Sequence, residues 1–357
     1  MQIRHIITRS MVGVVALTCA AAAPINPASA GPALLLDATD GRVLYAEDQD
    51  NQWHPASITK IMTAYLTFEA IKAGKLTLET RIPATETSVA QAPSKVGLPV
   101  GATMTVDLAL KALIIKSAND TAVMLAEAIS GSVEGFADQM NATAKRLGMT
   151  RSYFVNPNGL PAPEQVVTAR DMARLGRAVL KDYPEYAAMW TMVDMRIGKR
   201  RLASHNGLLR TFDGADGMKT GFTCDSGYNV VATATRDGRR LMAVVLGESS
   251  GGERSMRAAD LMEQGFSKSG QWKAVIDAST TIETMSMAAD AKNALSVRDS
   301  VMSRQCGGRT KARVATAQKI KTKAAQVRAE NSGTAAPAAE GDAAPKKVKK
   351  AKTNAAG

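Results

Sequence analysis

The first residues that could do chemistry are Ser57-Ile58-Thr59-Lys60. On a helix, positions three apart share a face, so this spacing points the Ser57 hydroxyl and the Lys60 amine the same way. A serine hydroxyl is a weak nucleophile and needs a base in reach. A lysine becomes that base when burial or a nearby cation lowers its pKa. The start of a helix adds N–H donors and positive potential where an oxyanion would form. Taken alone, the motif is also an ordinary solvated helix face. A second group, Ser117-Ala118-Asn119, falls at a break between two helical stretches. Its hydroxyl can relay a proton and its amide can bind a peptide group, but helix capping selects the same residue types. A third, Lys219-Thr220-Gly221, follows Gly214-Ala215-Asp216-Gly217-Met218. Lys and Thr can hold a carboxylate, Gly221 lets a substrate backbone lie close to a strand, and the Phe222 N–H can point at an oxyanion. On its own this is a turn and a strand edge.

Together and in this order, the three motifs say more. They match the joint signature of class A β-lactamases and penicillin-binding proteins. From about Ala33 to Phe266 the sequence resembles the low-molecular-weight penicillin-binding proteins that act as serine-type D-alanyl-D-alanine carboxypeptidases. Leu36-Asp37-Ala38-Thr39-Asp40-Gly41-Arg42-Val43-Leu44, the run Pro55 to Thr63, Ser117-Ala118-Asn119-Asp120, Phe154-x-Asn156-Pro157-x-Gly159-Leu160 and Asp216 to Gly221 carry the resemblance. It implies that Ser57 attacks the carbonyl between two terminal D-alanines and becomes acylated, with Lys60 as its base. Ser117 would relay the proton to the leaving D-alanine, and Asn119 would orient the substrate's peptide group. Lys219 and Thr220 would bind the terminal carboxylate, and the N–H groups of Ser57 and Phe222 would form the oxyanion hole. Arg254 stands where the family places a further carboxylate-binding arginine; a solvated helix-end arginine is the plainer alternative. The resemblance implies a peptidoglycan stem peptide as substrate, β-lactams as covalent inhibitors, and no cofactor. The sequence departs from the family at Ala118, where many relatives have Gly, and at Phe222, where some have His. The family often adds a β-rich second domain and an amphipathic anchoring helix, whereas here a short stretch leads into a basic tail with no broad apolar stripe, so anchoring like the family's is not expected.

Rival readings are weaker. Gly247-Glu248-Ser249-Ser250-Gly251 matches a nucleophile elbow, but that fold needs a later His, and the last histidine is His205. His54, His205, Cys224 and Cys306 show no metal-ligand spacing, so the histidines are expected in packing or at a substrate rim. Class A β-lactamases deacylate through a water-positioning Glu, and no segment here resembles theirs, so slow release of β-lactam acyl groups is expected. An endopeptidase acting on cross-links would use the same site. An inactive wall-binding module is disfavoured because all the named residues are intact.

These groups need elements to hold them. Residues 33–48 read as a hairpin with a turn at Asp40-Gly41. A helix is predicted from about Pro55 to Ala73, stopped by Gly74. Pro83, Pro93 and Pro99 argue for loops and short strands over 76–105. Helical stretches follow at Asp107–Lys116, Asp120–Ile129 and Val133–Leu147. Thr168-x-x-Asp171 reads as a capping box opening a helix that runs to about Lys181. A second hairpin spans 229–246, and a helix from about Glu253 to Phe266 closes the domain. Strands at both ends with helices between them predict an α+β fold: an antiparallel sheet with packed helices, of the penicillin-binding-protein/β-lactamase-like type.

Charge and composition set the boundaries. The net charge is +12. Twelve Lys and Arg against three acids lie in 309–357, and Arg4 and Arg9 precede residue 30, which leaves 31–308 close to neutral. A basic, nucleic-acid-binding fold is thereby excluded. Residues 1–30 read as a signal peptide with an Ala28-Ser29-Ala30 cleavage pattern, so export to the periplasm or cell envelope is expected. After export Cys224 and Cys306 remain, and one bridge or two free thiols are both open. The catalytic domain is assigned to 31–268 and a short extension to 269–306, where 281–304 reads as a helix or a weakly packed piece. An Ala/Lys-rich disordered tail is assigned to 307–357. The tail is expected either to make salt-sensitive contact with anionic wall polymer or a membrane surface, or only to solubilise the chain.

Overall fold

Leu34, Leu35 and Leu36 are all fully buried. A strand with no solvent face must be covered on both sides, and β1 (Ala33–Asp37) is. The computed structural model describes residues 31–267 and 279–294. In it, β1 pairs antiparallel with β2 (Val43–Glu47) on one side. The chain's later strands complete the sheet: β3 (Ala215–Thr223), β4 (Gly227–Arg236) and β5 (Arg239–Glu248). Its order is β2-β1-β5-β4-β3, antiparallel throughout. The period-two alternation of side chains divides its apolar residues into two layers. Ala33, Leu35, Val230, Ala232 and Val245 pack with Leu261 and Met262 of the closing helix. Leu34, Leu36, Val231 and Val244 face the larger helical core with Ile61, Phe68 and Met172. The sheet therefore lies between one helix and the helical body, and its β3 edge is left open.

The longer helices are α1 (Lys60–Lys72), α2 (Asn119–Ser130), α3 (Val133–Arg146), α4 (Ala169–Asp182) and α5 (Gly251–Phe266). The first departs from expectation in a way that matters. It starts as a 3-10 turn, Ala56–Thr59, and becomes α-helical only at Lys60. The stretch 107–116 is not one α-helix either. Val106–Lys111 is α-helical, Ala112–Lys116 is a π-helical turn, and Ser117 ends it in the left-handed region at φ 58°. A π-turn of this kind is often found at functional sites. Thr168 caps α4 by accepting from the Asp171 N–H, but the Asp171 carboxylate turns to Arg151 N and Ser152 Oγ. The capping box is thus only half formed. The extension is described only in part, since residues 295–304 of the stretch read as a helix or a weakly packed piece lie outside the described residues. Residues 279–294 contain no helix, and they are firmly held, with Ile282 fully buried and Arg42 bridging to Thr281. The signal segment, Cys306 and the tail lie outside the described residues.

Candidate active site

Two glycines fix the Ser57 turn. Gly159, at φ +81°, packs so closely that a Cβ there would come within 1.9 Å of the Ala56 carbonyl oxygen. A Cβ on Gly221 would lie 2.8 Å from Pro55 O and 2.9 Å from Ser57 N. Between them Ala56 adopts φ +49°, a conformation costly for a residue with a Cβ. Asn229 ties the turn to the sheet: its fully buried amide donates to His54 O and Pro55 O, both at 3.0 Å, and accepts from Gly247 N at 2.9 Å. Trp53 Nε1 donates to Ser226 O at 2.8 Å. Ser57 is the second residue of the 3-10 turn, whose first internal bond runs from Ile58 N to Pro55 O. The Ser57 N–H precedes that bond and has no acceptor within the turn.

Lys60 is completely buried, and its Nζ contacts three oxygens: Ser57 Oγ at 3.0 Å, Asn119 Oδ1 at 2.7 Å, and the Asn158 carbonyl. Burial, reinforced by the Lys219 charge and opposed by Asp120, holds its pKa well below the usual lysine range. A neutral amine has two N–H donors and one lone pair. With the donors on Asn119 and Asn158, the lone pair is left for the Ser57 hydroxyl. Asn119 is also tied through Nδ2 to Ala92 O at 2.8 Å, which leaves that amide a second N–H. The Asp120 carboxylate accepts from Val96 N, Gly97 N and Thr121 N, and so pins the 93–98 loop over the site.

Lys219 is also buried, and its Nζ donates to Ser117 Oγ and Thr220 O, each at 2.9 Å. Burial, followed by the Arg254 charge, brings its pKa down to about 7. Arg254, near the start of α5, is 8% exposed. Its Nε has no hydrogen-bond partner among the described residues. Burial lowers its pKa to about 10, so it stays charged at neutrality. A buried, unsatisfied guanidinium nitrogen in a cleft is poised for an anion. His205 is exposed at the cleft wall. Desolvation, then Lys219, Lys116, Arg254 and Lys60, draw its pKa down to about 4.

These groups line one cleft of about 480 Å³, which includes Ser57, Ser117, Asn119, His205, Thr220, Gly221, Phe222 and Arg254. Lys60 and Lys219 lie directly behind it. The structure thus brings all nine expected site residues together. Phe222 stacks on Tyr228 at 4.2 Å between ring centres and is partly exposed beside the open edge of β3. The sequence reading missed Asn158, which acts through a backbone carbonyl and has no side-chain signal. It also missed Asn229, which looks like any strand residue. His205 joins the cleft, as a rim role would require, whereas His54 Nδ1 meets Gln165 O outside it. Cys224 is disulfide-bonded, with its partner outside the described residues.

The family model for D-alanyl-D-alanine carboxypeptidase matches residues 18–250. The chain is 39% identical to the D-alanyl-D-alanine carboxypeptidase DacC of Escherichia coli over 65% of its own length and 60% of that protein's. Among solved structures it is similar to the D-alanyl-D-alanine carboxypeptidase DacD of Francisella tularensis, with TM-score 0.65, 32% identity, and coverage of 67% and 70% of the two chains. It is also similar to a Listeria monocytogenes penicillin-binding protein in its ampicillin-bound form, with TM-score 0.59, 30% identity, and coverage of 67% and 97%. With the Ser57–Lys60 pair, the Ser117–Lys219 contact and the open β3 edge in one cleft, the chain belongs to the D-alanyl-D-alanine carboxypeptidase family of penicillin-binding proteins.

Proposed function

We propose that this protein removes the terminal D-alanine from peptidoglycan pentapeptide stems through a serine acyl-enzyme. The observation that carries the reading is Lys60: fully buried, with its Nζ 3.0 Å from Ser57 Oγ and its other contacts both protein acceptors. Neutral Lys60 takes the Ser57 proton as Oγ attacks the carbonyl of the penultimate D-alanine. The oxyanion is held by the N–H groups of Ser57 and Phe222. Ser117, held by Lys219, passes the proton to the departing amine, and the C–N bond breaks. Water then attacks the ester, Lys60 takes its proton, and Ser57 Oγ recovers a proton as the stem leaves. Thr220 and Arg254 bind the terminal carboxylate, with Lys219 supplying positive potential behind them. Asn119 offers its second N–H to the substrate's peptide group.

In this reading the catalytic domain is residues 31–268, a short extension follows over 269–306, and the exported chain works in the periplasm or envelope. Among the described residues no helix is long and apolar enough to cross a membrane. β-Lactams acylate Ser57 and leave slowly. The test is D-alanine release from a pentapeptide stem beside a cross-linked dimer, with labelled penicillin as a second readout. Wild type takes the label and Ser57→Ala does not. An unlabelled wild type defeats the acyl-enzyme, and release from the dimer alone replaces the carboxypeptidase with an endopeptidase.

A further inference from the structure

A concentrated patch of charge lies outside the cleft. Residues 31–308 are close to neutral, yet 192–212 hold five Lys and Arg against one acid, Asp194. Two strands in this stretch, Asp194–Ile197 and Arg200–Ala203, pair as a hairpin. The cross-strand partners Met195 and Leu202 are buried in the helical core, and the hairpin packs on the π-helical turn Ala112–Lys116. Arg200, on the Leu202 face, donates to Val96 O at 3.3 Å, in the loop over the site. Alternation sends Asp194, Arg196 and Arg201 to the opposite face, toward solvent. There Arg196 stands directly across from Arg201. Like charges in that register repel, so the pair costs the hairpin stability unless an anion joins it. Asp194 answers only part of the excess. Its carboxylate accepts from Arg201 Nη2 at 2.5 Å, and Arg210 and Arg196 act on the same group. Arg196, and Lys199 at the hairpin's tip, make no hydrogen bond or salt bridge among the described residues.

We propose that the outer face of this hairpin docks a linear polyanion that carries phosphate groups. Two guanidinium groups side by side suit a phosphate, whose oxygens point in several directions, whereas a single fork already fills a planar carboxylate. Lys199 adds a third cation at the tip. Strands of this length give a footprint of about 13 Å, enough for a short run of one chain and narrow for a bilayer surface. None of the exposed large apolar side chains among the described residues lies in 192–212, so the patch has nothing to insert into a lipid layer. His205, two residues past the hairpin, lines the catalytic cleft, and a docked polymer therefore lies beside the cleft mouth. Arg196, Lys199 and Arg201 are not part of the cleft, and the docking surface does not rest on the carboxypeptidase reading.

The test uses the full chain and three probes: polyphosphate, polyglutamate of matched charge, and vesicles of phosphatidylcholine with phosphatidylglycerol. The readout is hydrogen exchange over 194–203, which binding elsewhere on the chain does not move. Polyphosphate should slow that exchange, most strongly at low salt. Arg196→Gln, Lys199→Gln and Arg201→Gln combined should raise the polyphosphate concentration needed for half the protection by about tenfold. The same variant should unfold in urea at the wild-type midpoint or above it, because the like-charge pair is gone. Lys346→Gln, Lys347→Gln and Lys349→Gln remove as many charges from the C-terminal stretch and should leave the protection over 194–203 intact. Exchange over 194–203 that ignores polyphosphate, or a hairpin variant protected as well as wild type, overturns the proposal. Equal protection by polyglutamate overturns it in favour of an unselective anion patch, and protection by vesicles alone in favour of a lipid surface.

Discussion

At the scale of single residues, the proposed mechanism depends on two buried amines with different tasks. Lys60 must be neutral to act as a base, and burial with a neighbouring cation makes it so. Lys219 serves as a cation, and its pKa, brought to about 7 by burial and the Arg254 charge, leaves that charge easily lost. A bound carboxylate favours the protonated form and raises that value. The signs give a bell-shaped pH profile for D-alanine release. The ascending limb follows deprotonation of Lys60, far below the ordinary lysine pKa. The descending limb of kcat follows loss of the Lys219 proton and lies above about pH 7. Lys219→Gln should weaken release and flatten the descending limb, as measured by kcat against pH. Gly221 is the other critical single residue. A methyl there meets only backbone atoms, at 2.8–3.0 Å, so the nucleophile turn itself must shift. Gly221→Ala should keep the fold, shown by an unchanged far-ultraviolet dichroism spectrum. It should slow penicillin acylation by about a hundredfold, as misplacing a reacting group does.

At the scale of elements, the geometry comes from contacts between segments far apart in sequence. The 3-10 turn carrying Ser57 sits on β3 and β4, with Asn229 bonded to two of its carbonyls. Asn229→Ala removes three buried hydrogen bonds and leaves their partners unsatisfied. A loss of about 2–4 kcal/mol should follow, read from the midpoint of urea unfolding. Acylation should slow as well, because the turn loses its tether. The π-helical turn is equally specific. It turns the chain into the left-handed conformation of Ser117 and so delivers that hydroxyl to Lys219. The sequence marked this place as a break between helices, because Ser, Ala and Asn interrupt the apolar periodicity. It could not give the form of the break, since a π-turn differs from an α-turn by one hydrogen-bond step and leaves no compositional trace.

At the scale of the whole molecule, the sheet joins the two ends of the domain, and the segment 279–294 then ties down its flank. Arg170 and Asp50 form a buried ion pair at 2.7 Å, and both hold the segment: Arg170 donates to Ser286 O, and Asp50 accepts from Ala288 N. Asp50→Ala leaves the guanidinium charge buried without its partner. It should cost about 3–5 kcal/mol and increase hydrogen exchange over 285–288. Unchanged stability would mean that the segment contributes nothing to the fold.

The sequence alone determined the family and the broad order of the elements. Ser57, Lys60, Ser117, Asn119 and the Lys219-Thr220-Gly221 run are recognisable because their residue types and local spacing are the signal. The hairpins and most helices were legible for the same reason: alternation and 3.6-residue periodicity are local properties. Only the tertiary structure decided that Lys60 loses its proton readily. That depends on complete burial and on Lys219, which is 159 positions away in the chain. It also decided that the Asn158 carbonyl and the Asn229 amide hold the site, and that 279–294 is a strap rather than a helix. A backbone carbonyl has no residue type to read, and a desolvation penalty exists only after distant segments have excluded water.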